Sequence, residues 1–227
     1  LDRDLDIRFR ASRDPAERRE LACAGLANLT FWLGWLRSSE AFSVDWDNIT
    51  VYEPLDSASV DLPPNCGAVI FKMLPETKSA RSHRVDVVMS YQTLSGFNLG
   101  KWVHRTWICS LVDGVHPHSR VFTHANGTVW DSRYFRRQYL YPALYTQRLE
   151  GDAFLCAFDG TPGNSIEDKL WSLHCYCCSA CTQATRGDSV ARYRFWKASD
   201  LHIYLHARWR RKRSGEKIDI LPYEWPL

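Results

Sequence analysis

From Asp14 onward the chain alternates polar and apolar residues on a helical period. Ala22, Leu26, Leu29, Leu33 and Leu36 recur in steps of four and three, the spacing of one face of an α-helix. Asp14 stands where an N-cap belongs, Pro15 at the first helical position and Glu17 three residues after the cap. The pattern therefore predicts a long buried helix from residue 14, and a second short one from about Ser38. Gly25 falls inside the run, where a helix gains nothing from it. The period then changes: "AVIFKML" (68–74) and "HRVDVVMS" (83–90) are rich in Val, Ile and Phe and flank the polar "PETKSARS". They predict a β-hairpin with Lys78 near its tip. Helical patterning returns at 98–112 and 131–149, the latter carrying Arg133, Arg136, Arg137 and Arg148. "FDGTPGNS" reads as a loop, 167–186 as another helix, and 197–207 and 217–225 as short ones. With no internal repeat, the expected architecture is α+β: one mostly helical domain over residues 1–227, core about 14–225, with one small antiparallel sheet.

The 227 residues are 45% hydrophobic, enough for one sizeable core. No apolar run reaches the length of a membrane span, and the N-terminal "LDRDLDIRFRASRDPAERRE" is charged where a signal peptide needs an apolar stretch. A soluble chain that is not exported, with no membrane partner, is expected. Four of the eight cysteines stand alone (Cys23, Cys66, Cys109, Cys156) and four are bunched at Cys175, Cys177, Cys178 and Cys181. That is not a secreted disulfide framework, so reduced thiols are expected. The sequons at Asn28, Asn48 and Asn126 are accordingly chance matches.

Net charge is only +3, but it is unevenly spread. Residues 184–213 hold nine Lys or Arg against Asp188 and Asp200, giving +7 and leaving −4 for the rest of the chain. A local basic segment on a mildly acidic protein is the electrostatic footprint of a polyanion, DNA or RNA first. Charge alone leaves open a solvated face or an import signal in "RWRRKR".

Four separated pieces carry a more specific pattern. "GWLRSSEAFSVDWDNITV" (34–51) sets Gly, Leu, Arg, a two-residue gap and Glu before an apolar run and a Trp-Asp. This resembles the first arginine box of the tyrosine recombinases, the phage-integrase family, and by that resemblance a strand follows, Arg37 is a catalytic arginine and Glu40 its support. "PETKSARSHRVDV" (75–87) is similar to the family's β-hairpin, with Lys78 in the place of its lysine. "WSLHCYCCSACTQA" (171–184) is similar to the helix bearing the His-x-x-Arg box: His174 matches and Cys177 stands where the arginine belongs. "HARWRRKRSGEKIDILPYEW" (206–225) resembles the C-terminal end, with Trp209 at the His/Trp position and Tyr223 as nucleophile, although the basic "RRKRS" lengthens the interval. The resemblance spans residues 14–225 and is nearest to eukaryotic mobile-element members; the N-terminal DNA-clamp domain such enzymes carry is expected to be absent from this chain.

The resemblance implies DNA strand cleavage and rejoining without a metal or other cofactor. Tyr223 would attack a DNA phosphate and form a 3′-phosphotyrosine, which conserves the bond for religation. Lys78 would protonate the leaving 5′-oxygen, with His174 assisting as acid, base or phosphate donor. Arg37 would hold the scissile phosphate through a bidentate contact, a task for a planar guanidinium. Cysteine at 177 has no donor fork and would leave the transition state one cation short. Arg186, nine residues on, would lie about half a turn away around a continuous helix and is a poor substitute. The resemblance further implies double-stranded DNA as partner, contacted by Arg133, Arg136, Arg137, Arg208, Arg210, Arg211, Lys212 and Arg213, with self-association on DNA and a nuclear location in a eukaryotic host, otherwise an intracellular one.

Each residue also has a plainer reading. Arg37 and Lys78 are ordinarily solvated surface charges, His174 a satisfied core histidine and Tyr223 a packing residue of the C-terminal segment. His174, Cys175, Cys177, Cys178 and Cys181 include pairs three and four apart that share helix faces, so two or three could meet at a metal. A structural zinc needs four ligands, usually from two separated pairs, and the cysteine cluster is a single stretch of chain. The expectation is no metal, with the cysteines packed as small hydrophobes. Two rivals to the recombinase remain: a non-catalytic DNA-binding domain derived from such an enzyme, favoured by Cys177, and a small zinc-binding interaction domain.

Overall fold

The structure, a computed structural model, describes residues 1–34, 36–54, 67–73, 85–93, 96–112, 114 and 119–143. Within them the predicted elements are present. α1 (Asp2–Ala11) and α2 (Pro15–Gly34) lead into a one-turn α3 (Ser38–Ala41), and a short 3₁₀ turn at Trp46–Asn48 opens β1 (Ile49–Tyr52). β2 (Ala68–Met73) and β3 (Val85–Ser90) follow, then α4 (Leu99–Val112) and α5 (Ser132–Phe135), which runs on as a π-helical turn over Arg136–Leu140. The class is α+β with one small antiparallel sheet. The predicted helices at 167–186, 197–207 and 217–225, and residues 144–149 of the 131–149 stretch, lie outside the described residues.

Asp14 caps α2 as its position predicts, its Oδ1 accepting the Ala16 N–H at 3.1 Å. The helix is buried on all sides from Leu21 to Phe31, so the leucine face read from the sequence is only part of its buried surface. One sequon, Asn28, sits inside that buried stretch. α1 precedes the first predicted element. Its charge hides a two-residue apolar stripe, Leu5 and Phe9, which is buried against the core.

The sheet has the order β1-β2-β3, with Val51 opposite Val69, and Val69 and Phe71 opposite Met89 and Val87. Val69, Phe71, Val87 and Met89 are buried and Val51 is half-buried, whereas the alternate pair Lys72 and Asp86 faces outward. Period-two alternation is therefore what turns the 68–90 segment into a hairpin with one face on the core. α2 packs between this sheet and α4. Gly34 lies so near Met89 that an added Cβ would come within 2.9 Å of its Sδ, and Gly25 lies flat against the Trp102 indole.

α1 is tied to α4 by charge. The Asp6 carboxylate, 19% exposed, accepts from Lys101 Nζ at 3.1 Å and from Arg105 Nη1, and Arg10 reaches its other oxygen at 2.9 Å. Burial alone would push the Asp6 carboxyl up, but the bonds from Arg105 and Lys101 outweigh it and hold the group below its ordinary value. A carboxylate held down in this way stabilises the fold above its unfolded-state pKa, and the stabilisation is lost as pH falls through the folded value. Asp6→Asn is expected to lower the unfolding free energy at neutral pH by about 2 kcal/mol, because Arg105 and Lys101 lose a charged acceptor. Denaturant titrations of both proteins should converge once the pH is taken well below the carboxylate range; a gap that persists unchanged in acid would mean that the Asp6 charge plays no part.

Candidate functional site

Arg37 stands at the N-cap of α3, in extended conformation (φ −67°, ψ 151°), just after α2 ends at Gly34. Glu40, one turn on, grips it twice. One carboxylate oxygen accepts the Arg37 backbone N–H at 3.0 Å and the other lies 3.5 Å from its Nη1. Glu40 is nearly sealed, its side chain 5% exposed, whereas Arg37 keeps 28% of its side chain at the surface. A buried carboxylate thus orients a guanidinium that still reaches solvent.

The next residues anchor this corner. Phe42 meets Phe31 of α2 and Phe122, both at 5.5 Å between ring centroids, and Phe31 meets Phe135 of α5 at 5.5 Å. One phenylalanine cluster therefore joins the Arg37 turn to the α5 segment that carries the arginines read as DNA contacts. Arg133 and Arg137 are exposed there. Arg136 is half-buried: its Nε donates to the Ser132 carbonyl at 3.2 Å and its Nη1 to Tyr141 Oη at 3.2 Å. The three arginines grouped by the sequence are thus two outward residues and one turned back onto its own helix.

β2 and β3 end at Met73 and begin again at Val85, so the segment that holds Lys78 connects two neighbouring strands of the sheet that follows Arg37. Lys78 itself lies outside the described residues, as do His174, Cys177, Trp209, Tyr223, Arg208, Arg210, Arg211, Lys212 and Arg213. So does the cysteine cluster at 175–181. Among the described residues no group of three or more His, Cys, Asp or Glu is placed to hold a metal ion, and no helix is long and apolar enough to cross a membrane. Cys23 is wholly buried, and burial pushes its thiol up to about 12, which leaves it inert as a nucleophile at neutral pH.

A second polar cluster has no counterpart in the sequence reading. Glu20 of α2 faces three donors from the far side of the chain: His124 Nδ1 at 3.0 Å, Tyr134 Oη at 2.8 Å and Tyr139 Oη at 3.4 Å. Beside it, Arg19 donates to Thr123 Oγ1 at 2.6 Å. Trp130 stacks on Tyr139 at 5.6 Å and meets Tyr134 edge-on at 4.9 Å. Burial, with the Glu20 carboxylate alongside, pushes the Tyr134 phenol up to about 12, and burial beside Tyr134 and Glu20 raises that of Tyr139 as well. Both phenols therefore stay protonated as donors across the physiological range. Nothing local marks Glu20, because its partners lie 104 to 119 residues away.

No protein-family model matches the chain, and no curated protein resembles it closely enough to count as a relative.

Proposed function

We propose that this chain is the catalytic domain of a tyrosine recombinase that binds duplex DNA, with strand cleavage and rejoining through a 3′-phosphotyrosine as its ancestral chemistry. One observation carries the reading: Arg37 is held by a buried Glu40 at the head of a short helix, directly before an antiparallel sheet whose β2–β3 connection bears Lys78. That order is the one the first two of the four sequence motifs imply. It supports the tyrosine-recombinase architecture because a guanidinium, a hairpin lysine and a C-terminal tyrosine must converge on one phosphate.

In this reading Arg37 neutralises the non-bridging oxygens of the scissile phosphate as charge builds on the phosphorane. Tyr223 attacks phosphorus, the bond to the 5′-oxygen breaks, and Lys78 delivers the proton that the leaving alkoxide needs. His174 shares in proton transfer, and Trp209 takes the motif's His/Trp position. Arg133 and Arg137, exposed on α5 and its π turn, position the duplex through its backbone without reading its sequence. The basic residues Arg208 to Arg213 extend that contact, and assembly on DNA and a nuclear location in a eukaryotic host follow from the same reading.

A second reading is favoured by Cys177, which stands at the position of the second arginine: a DNA-binding domain that no longer cleaves. A nicked suicide duplex of randomised sequence separates the two. The native chain is expected to form a covalent adduct that survives denaturing electrophoresis and that disappears in Tyr223→Phe. No adduct in either protein, with duplex binding that still weakens as salt rises, would sink the catalytic reading in favour of the second.

A further inference from the structure

Tyr134 and Tyr139 are five residues apart. On a continuous α-helix five residues leave two side chains about 140° apart around the axis, on different faces. Here both phenols meet the same Glu20 carboxylate oxygen, with their ring centroids 6.1 Å apart. The backbone accounts for this: Arg136–Leu140 is π-helical, the Tyr141 N–H donating to the Arg136 carbonyl five residues back. A five-residue bond brings residues five apart onto one face. A second pair uses the same spacing, since Arg136 and Tyr141 are bonded through Nη1 and Oη at 3.2 Å, with the guanidinium carbon 5.9 Å from the ring centroid.

The π turn thus does two things at once. It lets Tyr134 and Tyr139 share Glu20, and it folds Arg136 back onto Tyr141, away from the outward Arg133 and Arg137. In an α register Arg136 and Tyr141 would diverge by the same 140° or so, and the guanidinium would be released. π turns are rare and are found mostly at functional sites, so a cause is needed for this one. Two are present. Pro142 has no N–H to offer the carbonyl four residues back and disturbs the ladder just there. The other is the Glu20 carboxylate, which only the π register satisfies with both tyrosines.

We infer that Glu20 latches this segment in its π register and thereby withholds Arg136 from the arginine face, so that opening the latch adds a third phosphate contact to Arg133 and Arg137. The inference rests on the reading that this face meets a nucleic-acid backbone. Glu20 acts here as a positioning residue: it touches no phosphate and works through Tyr134, Tyr139 and the helix register.

The test uses the full chain and two readouts. Scalar couplings across hydrogen bonds, measured by NMR, report whether the Tyr141 N–H is bonded to the carbonyl of Arg136 or of Arg137. Affinity for a 20-base-pair duplex of random sequence, measured over a range of salt, reports the number of phosphate contacts, each worth about 0.9 in the slope of log K against log salt. In the native chain the acceptor is expected to be Arg136, and Arg136→Gln should leave the slope alone while Arg133→Gln reduces it by about 0.9. In Glu20→Ala the acceptor should move to Arg137 and the slope should steepen by about 0.9, an increment that adding Arg136→Gln removes. Tyr139→Phe, which deletes one hydroxyl from the cluster, should move both readouts the same way and serves if Glu20→Ala fails to fold.

An acceptor that stays at Arg136 in these variants and moves only in Pro142→Ala would overturn the inference, assigning the register to the backbone. A register that shifts with no change in slope, while Arg133→Gln still lowers it, would overturn it equally, since Arg136 would then not be withheld. If the native chain binds no duplex at any salt, the DNA reading fails on that result alone, and the couplings still decide whether Glu20 holds the register.

Discussion

Cys177→Arg is expected to speed the formation of the covalent DNA adduct by about two to three orders of magnitude, the typical worth of one charge-stabilising donor at a reacting centre. The expectation follows from the charge balance at a phosphoryl transition state. Cleavage by a tyrosine places an extra negative charge on the phosphorane oxygens, and on the proposed reading Arg37, paired with Glu40, would supply one guanidinium against it. The motif resemblance puts a second guanidinium three residues after His174, where this chain has a cysteine, which offers no donor fork. Restoring the arginine returns a bidentate donor that needs no proton transfer and stays charged at every working pH. The measurement is the single-turnover rate of adduct formation on the nicked suicide duplex, with Cys177→Arg/Tyr223→Phe as the control that must stay silent. A gain confined to the tyrosine-bearing protein would place Cys177 at the phosphate. Equal rates with cysteine and arginine would mean that residue 177 does not occupy the second arginine's place, and the assignment of His174 through the same motif would fall with it.

The largest effect on stability is expected from Gly25→Val, at about 3 kcal/mol or more of destabilisation, the upper range for forcing bulk into a packed core. Gly25 lies where α2 crosses α4, and even one added Cβ would overlap the indole of Trp102. The ring has nowhere to go. It is fully buried, its Nε1 donates to Asp2 Oδ1 at 2.7 Å, Phe9 packs against it edge-on at 6.1 Å, and the Arg105 guanidinium lies 4.9 Å from its centroid. Gly25→Ala should also destabilise, because the roughly 1 kcal/mol that alanine returns in helix propensity is smaller than the cost of separating the two helices. Chemical denaturation gives the direct comparison, and a second substitution gives the diagnosis. Trp102→Leu, itself costly through the cavity it opens, should recover part of the loss when combined with Gly25→Ala, since the methyl then fills vacated space. Strictly additive losses would show that Gly25 matters for some reason other than its contact with Trp102.

Arg37 and Glu40 were marked in the sequence by the motif resemblance, and the structure pairs them through a local relation: three residues on a one-turn helix bring a carboxylate back to its own N-cap. The strands of the hairpin were legible from local composition, two segments rich in Val, Ile and Phe on either side of a polar stretch. Arg136 shows the limit of such reading. Grouped with Arg133 and Arg137 by composition, it is turned onto Tyr141 by a five-residue spacing that no helical period anticipates. α1 escaped notice because its apolar signal is two residues, Leu5 and Phe9, among alternating charges. What makes it a packed element is Asp6 meeting Lys101 and Arg105, nearly a hundred residues later.

By itself, then, the sequence determined α2, α3, α4, the start of the 131–149 stretch and the strands β2 and β3, and it marked Arg37 and Glu40, all of them features set largely by interactions within a few residues. Only the tertiary structure decided that Gly25 is a contact point rather than a weak spot in α2, that α1 belongs to the core, and that Glu20 gathers His124, Tyr134 and Tyr139 around one carboxylate. The physical reason is common to all three. Each depends on two surfaces meeting that are far apart along the chain, and the free energy of that meeting, in buried area and in hydrogen bonds closed away from water, leaves no periodicity behind in either segment.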